Sequence, residues 1–142
     1  MKVSQVLRVS LDAGSQLDRF RVSSQAAGTD PLALAVGLKK VKEEQKEFNQ
    51  ARGWLTIWEP VEKNLGMQGL AVVVDPRAVD KAAEDKLNNL VVLKPGISDP
   101  VSYWAGFAWD RAGRITSADS WNAYVDEFAE RLTSPIELRG AK

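Results

Sequence analysis

Apolar residues recur at every second position through many short runs of this chain, and a polypeptide patterned that way has little open to it but sheets. From Val3 to Leu11 the apolar side chains fall at Val3, Leu7, Val9 and Leu11, with Ser4, Arg8 and Ser10 between them, which is the period of a half-buried strand. Asp12 to Ser15 reads as a turn. In the next run Phe20 and Val22 oppose Arg19 and Arg21, so the pair predicts a β-hairpin. After a break at Gly28-Thr29-Asp30-Pro31, bulky Leu32, Leu34, Val36 and Leu38 alternate with Ala33, Ala35 and Gly37, leaving a small-residue face that a neighbour can approach closely. Trp54 to Glu59 is aromatic and β-branched, hence a strand, and Pro60 stops it. Gly69–Asp75 and Asn89–Lys94 are continuous apolar runs expected to form buried strands. They are joined by a polar connector, Pro76 to Asn88, with room for a helical turn. Lys39 to Gln50, dense in Lys, Glu and Gln, reads as a solvated loop, strand extension or short helix. Turn signals at Pro95-Gly96 and Asp99-Pro100 precede a last alternating run, Val101 to Asp110.

The period changes once. Trp121, Tyr124, Val125, Phe128 and Leu132 recur at three- and four-residue spacing after an N-cap signal at Ser117, with Asp119 in the first turn, which predicts an amphipathic helix over 117–132. Ser134-Pro135 ends it, and Ile136-Glu137-Leu138 resembles a short closing strand. The expected fold is therefore mainly β, with antiparallel, sandwich-like sheets and one C-terminal amphipathic helix packed on a sheet face. A chain of 142 residues, without linker or repeat, fits a single domain over 1–142.

Composition removes several classes of function. Lysine plus arginine and aspartate plus glutamate balance at 19 each, so the broad positive field expected of a nucleic-acid or anionic-membrane binder is missing. Neither partner is expected. No run approaches the ~20 apolar residues that span a bilayer, and the start as written carries no signal-peptide core, so the expectation is a soluble, cytoplasmic chain. Cysteine and histidine are both absent, which excludes thiolate nucleophiles, the Ser-His-Asp arrangement and the commonest zinc ligands. With no metal-ligand cluster or Gly-rich phosphate loop either, no metal or cofactor is expected. Catalysis, if present, falls to carboxylates, Tyr, Lys, Arg, Ser or a carboxylate-bound metal.

Five tryptophans stand in the chain. Trp58, Trp104 and Trp109 are candidate stacking platforms for sugar rings, which pair apolar faces with hydroxyl edges; the competing role is core packing. Glu59 follows Trp58 and Asp110 follows Trp109, each at the end of an aromatic strand. Two carboxylates are the minimum for glycosidic-bond hydrolysis, one as acid and one as base or nucleophile. Ion pairing of Glu59 and Asp110 with Lys63 and Arg111, or turn capping, is the bland alternative. Tyr103 with Lys94 or Arg111 would suit a second chemistry, β-elimination, in which a cation neutralises a uronate carboxylate while the phenol exchanges a proton.

Three stretches, Tyr103–Asp110, Ser117–Tyr124 and Phe128–Pro135, with Arg8–Ser15 and Gly53–Pro60, resemble an uncharacterised bacterial family. That family is a β-sandwich domain of unknown function found beside unsaturated rhamnogalacturonyl hydrolases in polysaccharide-utilisation systems. The resemblance implies a carbohydrate-active protein, as a glycoside hydrolase ahead of a polysaccharide lyase, with a non-catalytic carbohydrate-binding module or a structural β domain as alternatives. It also implies that this chain matches the later part of a larger domain. Missing strands would bare apolar faces and open edges, so a homodimer or higher homo-oligomer is expected.

Overall fold

In the computed structural model, which describes residues 2–27, 32–96 and 100–140, the chain folds as nine strands and one α-helix. The strands are β1 (Val3–Ser10), β2 (Leu17–Ala26), β3 (Ala35–Lys39), β4 (Gln45–Asn49), β5 (Trp54–Pro60), β6 (Met67–Val74), β7 (Val79–Glu84), β8 (Asn88–Leu93) and β9 (Val101–Trp109); the helix α1 spans Ala118–Thr133. Six strands form one antiparallel sheet in the order β1-β2-β9-β6-β5-β4, and three form a second in the order β3-β8-β7. The mainly β architecture with a late helix is as the alternation predicts. The break at 28–31 and part of the turn at 95–100 lie outside the described residues.

The large sheet is the middle of three layers, and period two sorts its side chains between two cores. Toward the helix point Trp54, Trp58, Ala71, Val73 and Ala108, which pack with Trp121, Val125 and Ala129 of α1. Toward the small sheet point Leu55, Val72, Val74 and Val101, which pack with Val79, Val91 and Leu93. Ser117 caps the helix in a reciprocal capping box with Ser120, and the stripe Trp121, Val125, Ala129 is buried at four-residue spacing. Gly69 makes the closest of these contacts possible. A Cβ there would lie 2.6 Å from the Trp121 ring, so only glycine lets the indole lie on the strand, where its Nε1 donates to the Leu70 carbonyl at 3.0 Å.

Four expectations need correction. The alternating run from Val3, expected to be half-buried, forms β1 with all eight residues exposed, because no layer covers either face of this edge strand. Lys39 to Gln50 contains a regular strand, β4, whose Lys46 and Glu47 point to polar partners rather than to a core. The polar connector from Pro76 holds one 3-10 turn, Pro76–Ala78, and then the strand β7; as an edge strand it needs few apolar residues, so its sequence looked like a loop. Ile136–Leu138 forms no strand, and its two apolar side chains are 92% and 95% exposed, since no neighbouring strand takes them up.

Candidate functional site

At one end of the large sheet, register brings a carboxylate, an amide and an indole into a single row. Glu59 of β5 faces Gln68 of β6, and Gln68 faces Trp109 of β9, so all three project from the same side of the sheet. Glu59 is only 5% exposed. Its Oε1 accepts from Gln68 Nε2 at 2.6 Å, while its buried Oε2 meets no protein hydrogen-bond donor. Asp110, next in sequence to Trp109, likewise holds Oδ1 buried and without a partner. Orphaned oxygens of this kind cost stability, because desolvation is not offset by a bond.

The loop between β5 and β6 closes this end. Lys63, Asn64 and Gly66 all take positive φ, and Val61 N donates to the Gly66 carbonyl at 2.8 Å. The end of β9 clamps it. Trp109 Nε1 donates to the Leu65 carbonyl at 2.8 Å and Arg111 to the Asn64 carbonyl at 2.6 Å. A Cβ at Gly66 would sit 2.3 Å from Asp110 Oδ1, so the Asp110 carboxylate rests against bare backbone. Beside it, Trp109 is 41% and Phe107 61% exposed, both on the face away from α1.

Among the described residues neither Glu59 nor Asp110 forms an ion pair, and Arg111 is engaged by the loop. The remaining expected site residues lie elsewhere. Trp58 is buried in the core beneath α1 and offers no open ring face, which corrects its reading as a platform. Tyr103 is six residues, ~20 Å along β9, from Trp109; it stacks on Phe20 with ring centroids 5.0 Å apart, and burial raises the pKa of its phenol. It does not join Asp110. Lys94 donates to the Arg77 carbonyl at 3.0 Å and belongs to that far end too.

Trp104 also sits at the far end, on the helix side, where it lines a cavity of about 390 Å³ with Val74, Asp75, Arg77, Leu132 and Thr133. Asp75 and Arg77 are paired at 2.7 Å, and the Arg77 guanidinium holds the Asp75 carboxyl below its ordinary value. Sequence reasoning missed this pair and Gln68. Asp75-Pro76 carries the signal of a capped turn, and pairing Pro60 with Met67 across the hairpin fixes Gln68 opposite Glu59. Among the described residues no group of three or more Asp, Glu, His or Cys could hold a metal ion, and no helix is long and apolar enough to cross a membrane.

Residues 1–138 match the model of a family described as a domain of unknown function, DUF4861. The chain belongs to that family. It is 31% identical over 145 residues to the uncharacterized protein P7 of Formosa agariphila, an alignment covering 96% of this chain and 35% of the relative. A DUF4861 chain of this length therefore spans about a third of that curated relative. No solved structure matches it.

Proposed function

We propose that this DUF4861 chain is carbohydrate-active and that the Glu59–Gln68–Trp109 row, completed by Asp110, is where it acts on a glycosidic bond of a uronic-acid or plant-type oligosaccharide. The observation carrying this reading is the pair of buried, unpartnered carboxylate oxygens at one sheet end, beside a half-open indole. A fold retains such costs where chemistry uses them. In hydrolysis one carboxyl protonates the departing glycosidic oxygen as the bond to the anomeric carbon breaks. The other takes a proton from the attacking water or attacks that carbon itself. Trp109 supplies an apolar face for a sugar ring and Gln68 an amide for its hydroxyls. The resemblance to domains found beside unsaturated rhamnogalacturonyl hydrolases points to the same substrates. A panel of chromogenic and natural oligosaccharides tests this: turnover is expected, with a loss of about a hundredfold or more in Glu59→Gln and Asp110→Asn. Turnover unchanged in both variants overturns the site.

A binding module is the second reading, favoured by the exposure of Trp109 and Phe107. It predicts binding without turnover, lost in Trp109→Ala.

The proposal includes a second copy of the chain. Strand β1 is exposed along all eight residues and carries one charge, Arg8, whereas the other edge of the sheet, β4, is short and bears Lys46 and Glu47. Charges and brevity protect edges from pairing; β1 has little of either. Light scattering at micromolar concentration is expected to give a dimer, and a monomer there removes this part.

A further inference from the structure

Three arginines crowd the helix side of the β1–β2 hairpin without a carboxylate among them. Register puts Arg8 directly opposite Arg21, and Ser10 opposite Arg19; one strand further in, Arg21 faces Ser102 and Arg19 faces Trp104. Like charges opposed across two strands destabilise a sheet. Among the described residues Lys40, Lys46, Arg52, Arg77, Arg131 and Arg139 each meet a carboxylate, whereas Arg8, Arg19 and Arg21 meet none. The only acid in either strand, Asp18, points to the other face by period two. Edge protection would account for Arg8 alone, because Arg19 and Arg21 lie on the second strand.

This shelf is open. All three arginines are exposed, since α1 packs chiefly over β5 and β6 and reaches the hairpin at its Gln16–Leu17 end. Its inner wall is Trp104, over whose ring Arg19 sits at 5.8 Å while donating to Ser102 Oγ at 3.3 Å. On the Trp104 side the shelf adjoins the cavity of about 390 Å³, a volume within the range of small-ligand pockets.

We infer that the Arg8–Arg19–Arg21 shelf, with Trp104 as its wall, binds the carboxylate or sulfate groups of an anionic oligosaccharide. Guanidinium forks recognise both groups through paired hydrogen bonds, and an indole beside them takes a sugar ring. A bound anion would also offset the Arg8–Arg21 repulsion. The inference rests on the carbohydrate reading above for its ligand class, but the shelf lies at a different part of the sheet from Glu59 and Asp110, and binding there needs no turnover.

Tryptophan fluorescence and calorimetry on the whole chain, at low salt, test it with four probes: an oligogalacturonate, dextran sulfate, neutral dextran of matched length, and a single-stranded DNA oligomer. At least one anionic glycan is expected to bind about tenfold or more tightly than neutral dextran, and to weaken as salt rises. Oligogalacturonate alone assigns carboxylate, dextran sulfate alone assigns sulfate, and both together assign charge without further selection. The double variant Arg8→Ser, Arg21→Ser and the single variant Arg19→Gln should each lose about tenfold. Thermal melting reports folding; removing one of two opposed arginines should not lower it, and Arg8→Ser alone serves should the double variant fail to fold. Equal binding of neutral dextran, undiminished binding by the arginine variants, or DNA bound as tightly as the glycans overturns the inference. Shelf binding that persists while Glu59→Gln and Asp110→Asn keep full turnover would overturn the catalytic site and leave the shelf standing.

Discussion

The two halves of the large sheet are built from the same alternation and end in opposite environments. In β5 and the length of β6 from Ala71 to Val74, both faces are covered, by α1 on one side and the small sheet on the other, and six consecutive residues of β5 are buried. In β1 every residue is exposed, and Val6 and Leu7 keep 66% and 55% of their surface. Period-two patterning therefore specifies strands but not their coverage; coverage depends on what else the chain supplies. The covered half holds the stability, and the bare half holds surface available for partners.

Core truncation should separate the halves most strongly. Trp121→Ala empties the space above Gly69 and is expected to cost ~3–5 kcal/mol, whereas Leu7→Ala should shift stability by less than ~0.5 kcal/mol in the monomer. Urea unfolding at matched concentration measures both. Comparable losses would mean that β1 is covered in solution, and a Leu7 effect that grows with protein concentration would identify the cover as a second copy.

Glu59 offers a finer division, within the covered half itself. A buried carboxylate with one orphaned oxygen weakens its host, and an apolar side chain of similar volume removes that cost. Glu59→Met is accordingly expected to raise stability by ~1 kcal/mol while abolishing turnover. A large loss of stability instead would mark Glu59 as a structural acceptor for Gln68, and the catalytic assignment would fall with it.

How much of this was legible follows from what alternation and periodicity encode. Strands, the hairpin and the Ser117-capped helix were readable because their own side chains carry the pattern. β7 was not, since an edge strand such as Val79–Glu84 is stabilised by backbone pairing to β8 and needs no apolar repeat. Among site residues, Glu59, Trp109 and Asp110 share one end of the sheet because their strands are neighbours, a fact of strand order that a sequence does not state. Trp58 and Trp109 each precede a carboxylate and look alike in sequence. The helix lies over Trp58, while the Trp109 ring stands on the opposite face beyond the small sheet. The arginine shelf was latent in the hairpin, but Arg8 against Arg21 emerges only once register is fixed.

The smallest expected effect concerns the polar seam between the sheets, where Glu84 of β7 meets Lys40 and Lys46. Hydrogen bonds from Lys40 and then Lys46 lower its carboxyl from 4.5 to about 2. A carboxyl depressed on folding contributes stability that is present above its unfolded value and lost as pH falls toward its folded one. The loss should therefore run from about pH 4.5 down to about 2, and salt should weaken it because the groups face water. Melting temperatures of wild type and Glu84→Gln across that window are expected to converge as the pH falls and to differ most near neutrality. Curves separated by a constant amount through the whole range would mean that the two lysines hold Glu84 too loosely in solution to move its titration.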